Sequence, residues 1–215
     1  MVTAVIYDLD GTLIDSRGDL SDSVNAMLAA LGLPGRDERE IWSFIGEGAE
    51  RLVRRSIGDA NEHRFPEAMQ LWRLEYSRRL LSRTRPYPGV AELLEVPPAA
   101  RAVLTNKPGG FAREILQGLG LLVKFGAVIG GDEAPKKPHP AGLLRLCSDL
   151  GADPVRTLYV GDSLIDIATG AAAGVPVCAV GWGLGDPGEL RAAGPAHFCS
   201  TPADVVRLLA RLSSM

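Results

Sequence analysis

Cysteine is scarce in this sequence. The three present, Cys147, Cys178 and Cys199, are far apart and odd in number, so they match neither a disulfide framework nor a zinc-site spacing. They read as buried thiols, and a reducing cytoplasm is the expected location. Basic excess is also missing: 23 Lys and Arg stand against 26 Asp and Glu, a formal charge of -3. That leaves no broad positive field for nucleic acid. One charge-free stretch, residues 167–185, has the length of a membrane span. It is broken by Gly170, Gly174, Gly181, Gly183, Gly185 and Pro176, and reads instead as an alanine-rich helix, a turn at Gly174 and a strand VPVCAV. The start, MVTAVIYD, has no basic region and meets Asp8 after a short apolar run, so neither a signal peptide nor membrane attachment is expected. There is no internal repeat and no low-complexity tract. With 46% hydrophobic and 23% charged residues, disordered and fibrous classes are excluded. A chain of 215 residues can bury a core without disulfides, as one domain or one domain carrying a smaller one.

Short apolar runs bounded by turn residues predict strands at 3–9, 101–105, 126–130, 157–161 and 175–180. Continuous rather than alternating hydrophobicity suits a parallel sheet covered on both faces. Helical stretches at 110–119 and 140–150 fall between the later strands, which predicts a doubly wound, Rossmann-like α/β core. Residues 16–85 break the alternation. Leu20, Val24, Met27, Leu28 and Leu31 recur at helical spacing, GLPG at 32–35 stops that helix, and further helical pieces are expected near 37–45, 48–57 and 61–82. This segment holds 12 of the 19 arginines. It reads as a helical domain inserted after the first strand, so the expected division is a core of 1–15 and 86–215 and a cap of 16–85.

The strongest chemical signal is DLDGTLIDS, residues 8–16. Asp8 and Asp10 sit two apart at a strand end, so both side chains leave toward one side. Paired carboxylates there repel each other unless a cation or proton sits between them. Gly11 allows a sharp turn and Thr12 can tie it down. A solvated Asp-Gly turn would explain the dipeptide, but not the whole string behind an apolar strand. Three more elements reach the same sheet edge. Thr105 and Asn106 end the second predicted sheet strand in VLTNKP. Lys136 and Lys137, two of only four lysines, follow the third in APKKPHP. GDSLIDIATG puts Asp162 at the tip of the fourth, with Asp166 one helical turn later. Taken singly, these read as a strand-ending turn, a solvated loop charge, a helix N-cap and an exposed helix acid. Together they converge where open parallel sheets bind ligands. Three carboxylates suit a hard cation such as Mg2+, and a hydroxyl, N–H groups and a lysine suit a phosphoryl group.

In the order DLDGT, LTN, KKP, GDSLID, the chain resembles the haloacid dehalogenase superfamily of phosphohydrolases. VLTNKP, VIGGDEAPKKPHP and YVGDSLIDI are similar to the phosphoglycolate phosphatases within it. The resemblance implies a Mg2+-dependent phosphatase in which Asp8 is the nucleophile and forms an aspartyl-phosphate. Asp10 would be general acid and then base, and its backbone carbonyl would ligate Mg2+ with the carboxylates of Asp8 and Asp162. Asp166 would act at the metal site from behind, through water or by holding Lys137. Gly11, Thr105, Asn106 and Lys137 would bind the phosphate, with Lys137 also orienting Asp8. The family's cap selects the substrate. In FIGEGAERLVRR (44–55), Arg51 is expected to meet a substrate carboxylate such as that of 2-phosphoglycolate, with Arg54 and Arg55 as other candidates. His63 and His197 are read as structural or exposed, and His139 has no assigned chemistry. Trp182 is read either as cleft lining or as core. The expected partner is a small phosphorylated metabolite, with monomer and homodimer both open. The alternatives are phosphoryl transfer as in β-phosphoglucomutase, a pyrophosphatase or another small-metabolite phosphatase, and a non-enzymatic binding protein that keeps the fold.

Overall fold

The computed structural model describes residues 1–98 and 100–213. Its organising element is the first strand, β1 (Ala4–Tyr7), in which every side chain is buried. Burial on both faces explains why this run shows no polar alternation. β1 is followed by a two-residue strand, β2 (Ile14–Asp15), and then by helices α1 (Arg17–Ala30), α2 (Glu38–Trp42), α3 (Ala49–Ile57) and α4 (Phe65–Ser77). A second two-residue strand, β3 (Arg85–Pro86), returns the chain and pairs antiparallel with β2. The rest alternates: α5 (Val90–Leu93), β4 (Ala100–Leu104), α6 (Gly109–Gly118), β5 (Ala127–Ile129), α7 (Ala141–Asp149), β6 (Thr157–Gly161), α8 (Leu164–Ala173), β7 (Val177–Val180), α9 (Pro187–Ala192), β8 (His197–Cys199) and α10 (Pro202–Ser213).

Six strands form one parallel sheet in the order β5-β4-β1-β6-β7-β8. β1 lies between β4 and β6, with Ile6 opposite Ala102 on one side and Tyr159 on the other. Alternate residues of β1 supply two cores. Ile6 packs with Leu104, Tyr159 and the α7 residues Leu143 and Leu146. Val5 and Tyr7 face the opposite layer, where Ile115 of α6 and Leu208 of α10 lie. That second core runs on without a break into Val24, Leu52 and Trp72 of the helical segment. The predicted doubly wound α/β architecture is therefore what the chain adopts, and strand order reverses beside β1, at the switch point where ligands bind.

The predicted elements differ from the observed ones mainly at their ends. α4 starts at Phe65, not near 61, because Pro66 fits the first helical turn and residues Asp59–Arg64 form a tighter 3-10 helix. β8 was not predicted: HFC is too short to signal a strand and pairs at the sheet edge beside β7. Among the described residues between 86 and 100, the single helical turn α5 forms.

One buried acid fastens the two chain crossings. Asp19, fully buried on α1, accepts hydrogen bonds from the backbone N–H groups of Arg83 and Thr84, both at 2.8 Å, and from the Thr84 hydroxyl at 2.7 Å. In Asp19→Ala those donors lose their acceptor. The expected loss is roughly 2–4 kcal/mol of unfolding free energy in urea titrations. A loss below about 1 kcal/mol would mean that water replaces the carboxylate.

Candidate active site

The end of β1 delivers Asp8 and Asp10 into the crevice. Asp8 extends the sheet ladder through its N–H to Val160 O at 2.8 Å. The chain then turns at Gly11, whose φ of +86° favours glycine. A Cβ there would also stand 2.1 Å from an Asp162 carboxylate oxygen. The same turn braces Asp162: Thr12 Oγ1 donates to its Oδ1 at 2.9 Å, and Leu184 N donates to its Oδ2 at 2.7 Å. Trp182 closes the clasp by donating from Nε1 to Thr12 O at 3.0 Å. Asp162 is not the helix N-cap. Ser163 is, in a capping box with Asp166, which leaves Asp162 free for the crevice.

Asp166 is fully buried, so the reading of it as an exposed helix acid fails. Its Oδ1 accepts from Lys137 Nζ at 2.7 Å and Tyr159 OH at 2.6 Å, and its Oδ2 from Ser163 N and Oγ. Both oxygens are thus occupied, and Asp166 holds Lys137 rather than facing open space. Lys137 Nζ reaches Asp8 Oδ1 at 2.8 Å. Burial alone would push the Lys137 ammonium down in pKa, but Asp166 and Asp8 together hold it above its ordinary value. Asp8 Oδ2 has no hydrogen bond among the described residues. Asp8 therefore has one oxygen pinned by Lys137 and one without a hydrogen-bond partner among the described residues.

Around Asp10 the sequence reading missed a residue. Lys107, buried in the VLTNKP run, donates from Nζ to Asp10 Oδ1 at 2.7 Å and to Tyr76 OH at 2.6 Å. Ser16 Oγ donates to the same Asp10 oxygen at 2.5 Å. The signal was available: Lys107 is one of only four lysines and follows Thr105 and Asn106 directly.

The charges do not balance. Asp8, Asp10, Asp162 and Asp166 crowd around Lys107 and Lys137, which with all four acids ionised would leave an excess of two negative charges with little solvent to screen it. Asp162 responds, pushed up to about 7 by burial first and Asp166 second. Asp8 is also raised, by burial against the opposing pull of Lys137. Carboxylate oxygens of Asp8, Asp162 and Asp166 lie within 4.8 Å of one another. A divalent cation fits this donor set and its charge deficit. Because Asp166 is fully engaged, Asp8 and Asp162 are the carboxylates that could touch it.

Thr105 lines the cavity beside Asp8. The backbone N–H groups of Leu9, Asp10 and Asn106 have no partner among the described residues. Unpaired amides at a buried turn ask for an anion. The Asn106 side chain is already spent: Nδ2 donates to Gly46 O at 3.0 Å and Lys137 O at 3.1 Å, and Oδ1 accepts from Lys137 N at 2.9 Å. It ties the helical segment to the lysine loop and leaves only backbone for a ligand. Gly48, with φ +93°, comes close enough that a Cβ would lie 3.0 Å from Asn106 O.

Leu20, Ile45, Leu52 and Trp72 roof the cavity, which has a volume of about 30 Å3 and is partly open to solvent. Arg51 is not brought there. Its guanidinium pairs with Glu47 at 2.9 Å, more than half exposed, and borders an outer groove instead. Arg55 pairs with the same Glu47 and Arg54 with Glu62. Nearby acids claim all three arginines, and for Arg51 the partner is the acid one helical turn before it, a pairing that sequence spacing permitted. His139 is exposed and accepts from Ala141 N.

Comparison with known proteins matches residues 5–180 to the family described as haloacid dehalogenase-like hydrolase. The chain belongs to that family. A phosphoglycolate phosphatase of Chromobacterium violaceum is 38% identical over 200 residues, covering 89% of this chain and 90% of that protein. An N-acetylmuramic acid 6-phosphate phosphatase of Pseudomonas aeruginosa is 36% identical, covering 94% and 89%. The crystal structure of a predicted phosphoglycolate phosphatase from Haemophilus somnus superposes with a TM-score of 0.91 at 32% identity, covering 97% and 98% of the two chains. The resemblance read from the motifs is borne out. Among the described residues of this hydrolase, no helix is long and apolar enough to cross a membrane.

The raised carboxyl groups give this hydrolase a testable pH signature. Asp162 and Asp8 bind protons in the folded protein at pH values where the unfolded chain has released them. Their contribution to stability is therefore present at low pH and lost as pH rises through about 7, the value for Asp162. A divalent cation needs the ionised forms, so its binding expels those protons. Millimolar MgCl2 should raise Tm by several degrees near pH 8 and by less than about one degree near pH 5.5. Equal shifts at both would show that the carboxyls are ionised without the cation.

Proposed function

We propose that this protein is a Mg2+-dependent phosphomonoesterase that works through an aspartyl-phosphate on Asp8, with 2-phosphoglycolate as its substrate. The observation that carries the chemistry is the Asp8 carboxylate, which lines the cavity and is pinned through Oδ1 by Lys137, with no hydrogen bond to Oδ2 among the described residues. The excess of two negative charges supports a divalent metal. The names of the Chromobacterium and Haemophilus relatives support the substrate. In this reading residues 16–85 act as a cap over a core of 1–15 and 86–215.

Asp8 Oδ2 attacks phosphorus, forming the O–P bond as the ester P–O bond breaks. Asp10 gives its proton to the departing oxygen, then takes one from the water that reopens the acyl phosphate. The Leu9, Asp10 and Asn106 amides, Thr105 and Lys137 hold the phosphoryl oxygens. Asp8, Asp162 and the Asp10 carbonyl would hold the metal, which would supply Lewis-acid withdrawal of charge from the phosphoryl group. Asp166 acts through Lys137. The apolar roof keeps bulk water out while the acyl phosphate exists.

A second reading has support from the Pseudomonas relative, whose name gives a phosphorylated amino sugar as substrate. The smaller substrate is the one named for both the Chromobacterium and the Haemophilus relatives. Asp8→Asn should lower kcat by at least about 10³-fold, since an amide cannot attack phosphorus. Its Tm should stay equal or rise, because one buried charge is gone. Phosphate release from wild-type protein should show kcat/KM at least about 10-fold higher for 2-phosphoglycolate than for N-acetylmuramic acid 6-phosphate. Substantial turnover by Asp8→Asn would remove the nucleophile assignment, and the reverse preference would replace the substrate.

A further inference from the structure

Asp10 is held asymmetrically. Both its side-chain partners, Lys107 Nζ at 2.7 Å and Ser16 Oγ at 2.5 Å, bond to Oδ1. No hydrogen bond reaches Oδ2 among the described residues. Lys107 is itself anchored from across the cavity. Its second contact, at 2.6 Å, is the hydroxyl of Tyr76, which comes from α4. Tyr76 cannot easily move alone. It is fully buried, stacks on Trp72 at 5.1 Å between ring centroids, and meets Phe111 of α6 edge-on at 5.2 Å.

We propose that Lys107 and Tyr76 form a positioning pair for the proton transfer at Asp10. The inference rests on the phosphatase reading above and adds to it a function for two residues in neither motif role. Lys107 fixes Oδ1, so Oδ2 is the atom that carries the proton to the ester oxygen. As the ester P–O bond breaks, its electron pair goes to the leaving oxygen and the proton follows from Oδ2. Asp10 becomes a carboxylate beside an ammonium already in place, so the charge that develops needs no rearrangement. A lysine side chain has four rotatable bonds and does not hold such a geometry through one contact. Tyr76 supplies the second contact and comes from the helical segment. The acid is therefore fully arranged only while that segment sits over the core.

The readout is dependence on the leaving group. A phenyl phosphate needs a proton on its departing oxygen, and p-nitrophenyl phosphate scarcely does, although the two have similar shapes. The quantity kcat/KM reports steps up to leaving-group release and is blind to later hydrolysis of the acyl phosphate. Tyr76→Phe should lower kcat/KM for phenyl phosphate about 5- to 20-fold, with at least about fivefold less loss for p-nitrophenyl phosphate. Lys107→Met should show the same selectivity with a larger loss, on the order of 30- to 100-fold, within the range of general acid catalysis. Because a buried lysine is a risky substitution, Lys107→Cys alkylated with 2-bromoethylamine provides the check. It restores an ammonium at nearly the same reach and should recover most of the phenyl phosphate activity. Equal losses on both esters, or no loss on either, would overturn the positioning role while wild-type turnover and an inert Asp8→Asn leave the phosphatase reading standing. A wild-type protein that cleaves neither ester with MgCl2 would overturn both.

Discussion

Four carboxylates share a buried crevice with two ammonium groups, and the rest of the molecule is arranged around that imbalance. Folding alone cannot cancel it, because each group is held in place by the sheet. Asp8 leaves the end of β1, Asp162 follows β6, and the two strands are neighbours in register. The protein answers the excess locally in two ways. It spends hydrogen bonds on the acids, two on Asp162 and four on Asp166, and it allows burial to raise the proton affinity of Asp8 and Asp162. What remains is an electrostatic demand for a dication, beside unpaired amides of Leu9, Asp10 and Asn106 that suit an anion, and the proposed phosphate-ester cleavage brings both.

The same economy explains why several residues have two duties. Asp166 caps α8 and orients Lys137. Asn106 secures the Lys137 backbone and also grips the loop at Gly46. Lys107 spans Asp10 and Tyr76. Each of the last two couples a sheet-edge residue to the helical segment, reinforced outside by Lys136 with Glu50 at 3.1 Å. The exposed pair is worth little by itself. The buried contacts matter because leaving their polar atoms unpaired would cost far more than an exposed ion pair returns.

The fold was legible because its signals are strong and local. Apolar runs without alternation marked the sheet, and helical spacing from Leu20 to Leu31 marked the insertion. The motif acids and Lys137 were legible because strand ends in a parallel sheet converge at the switch point, whatever lies between them in sequence. Two kinds of feature were not. Lys107 and Tyr76 lie 31 residues apart and meet only in the tertiary structure, so no spacing announces them. Arg51 failed in the opposite way. Its position in a glycine-flanked loop was suggestive, but Glu47 sits one helical turn before it, and a nearby acid on the same exposed face is a closer partner than a distant cavity.

That contrast bears on how substrate is read. With the arginines at 51, 54 and 55 paired to Glu47 and Glu62 and none of them lining the cavity, the helical segment contributes apolar surface and backbone to it. An apolar roof discriminates by size and by exclusion of water, a modest selectivity of roughly 10- to 200-fold per methylene-sized difference. Discrimination of that kind depends on the roof being fully seated. The contacts that seat it, Asn106 with Gly46 and Lys107 with Tyr76, end on a lysine-loop tie and on the acid itself. A substrate too large to let them form would be bound without the catalytic groups in register. Specificity in such a design resides in the rate of the chemical step more than in affinity, because the wrong ester is held in a site that is not yet assembled.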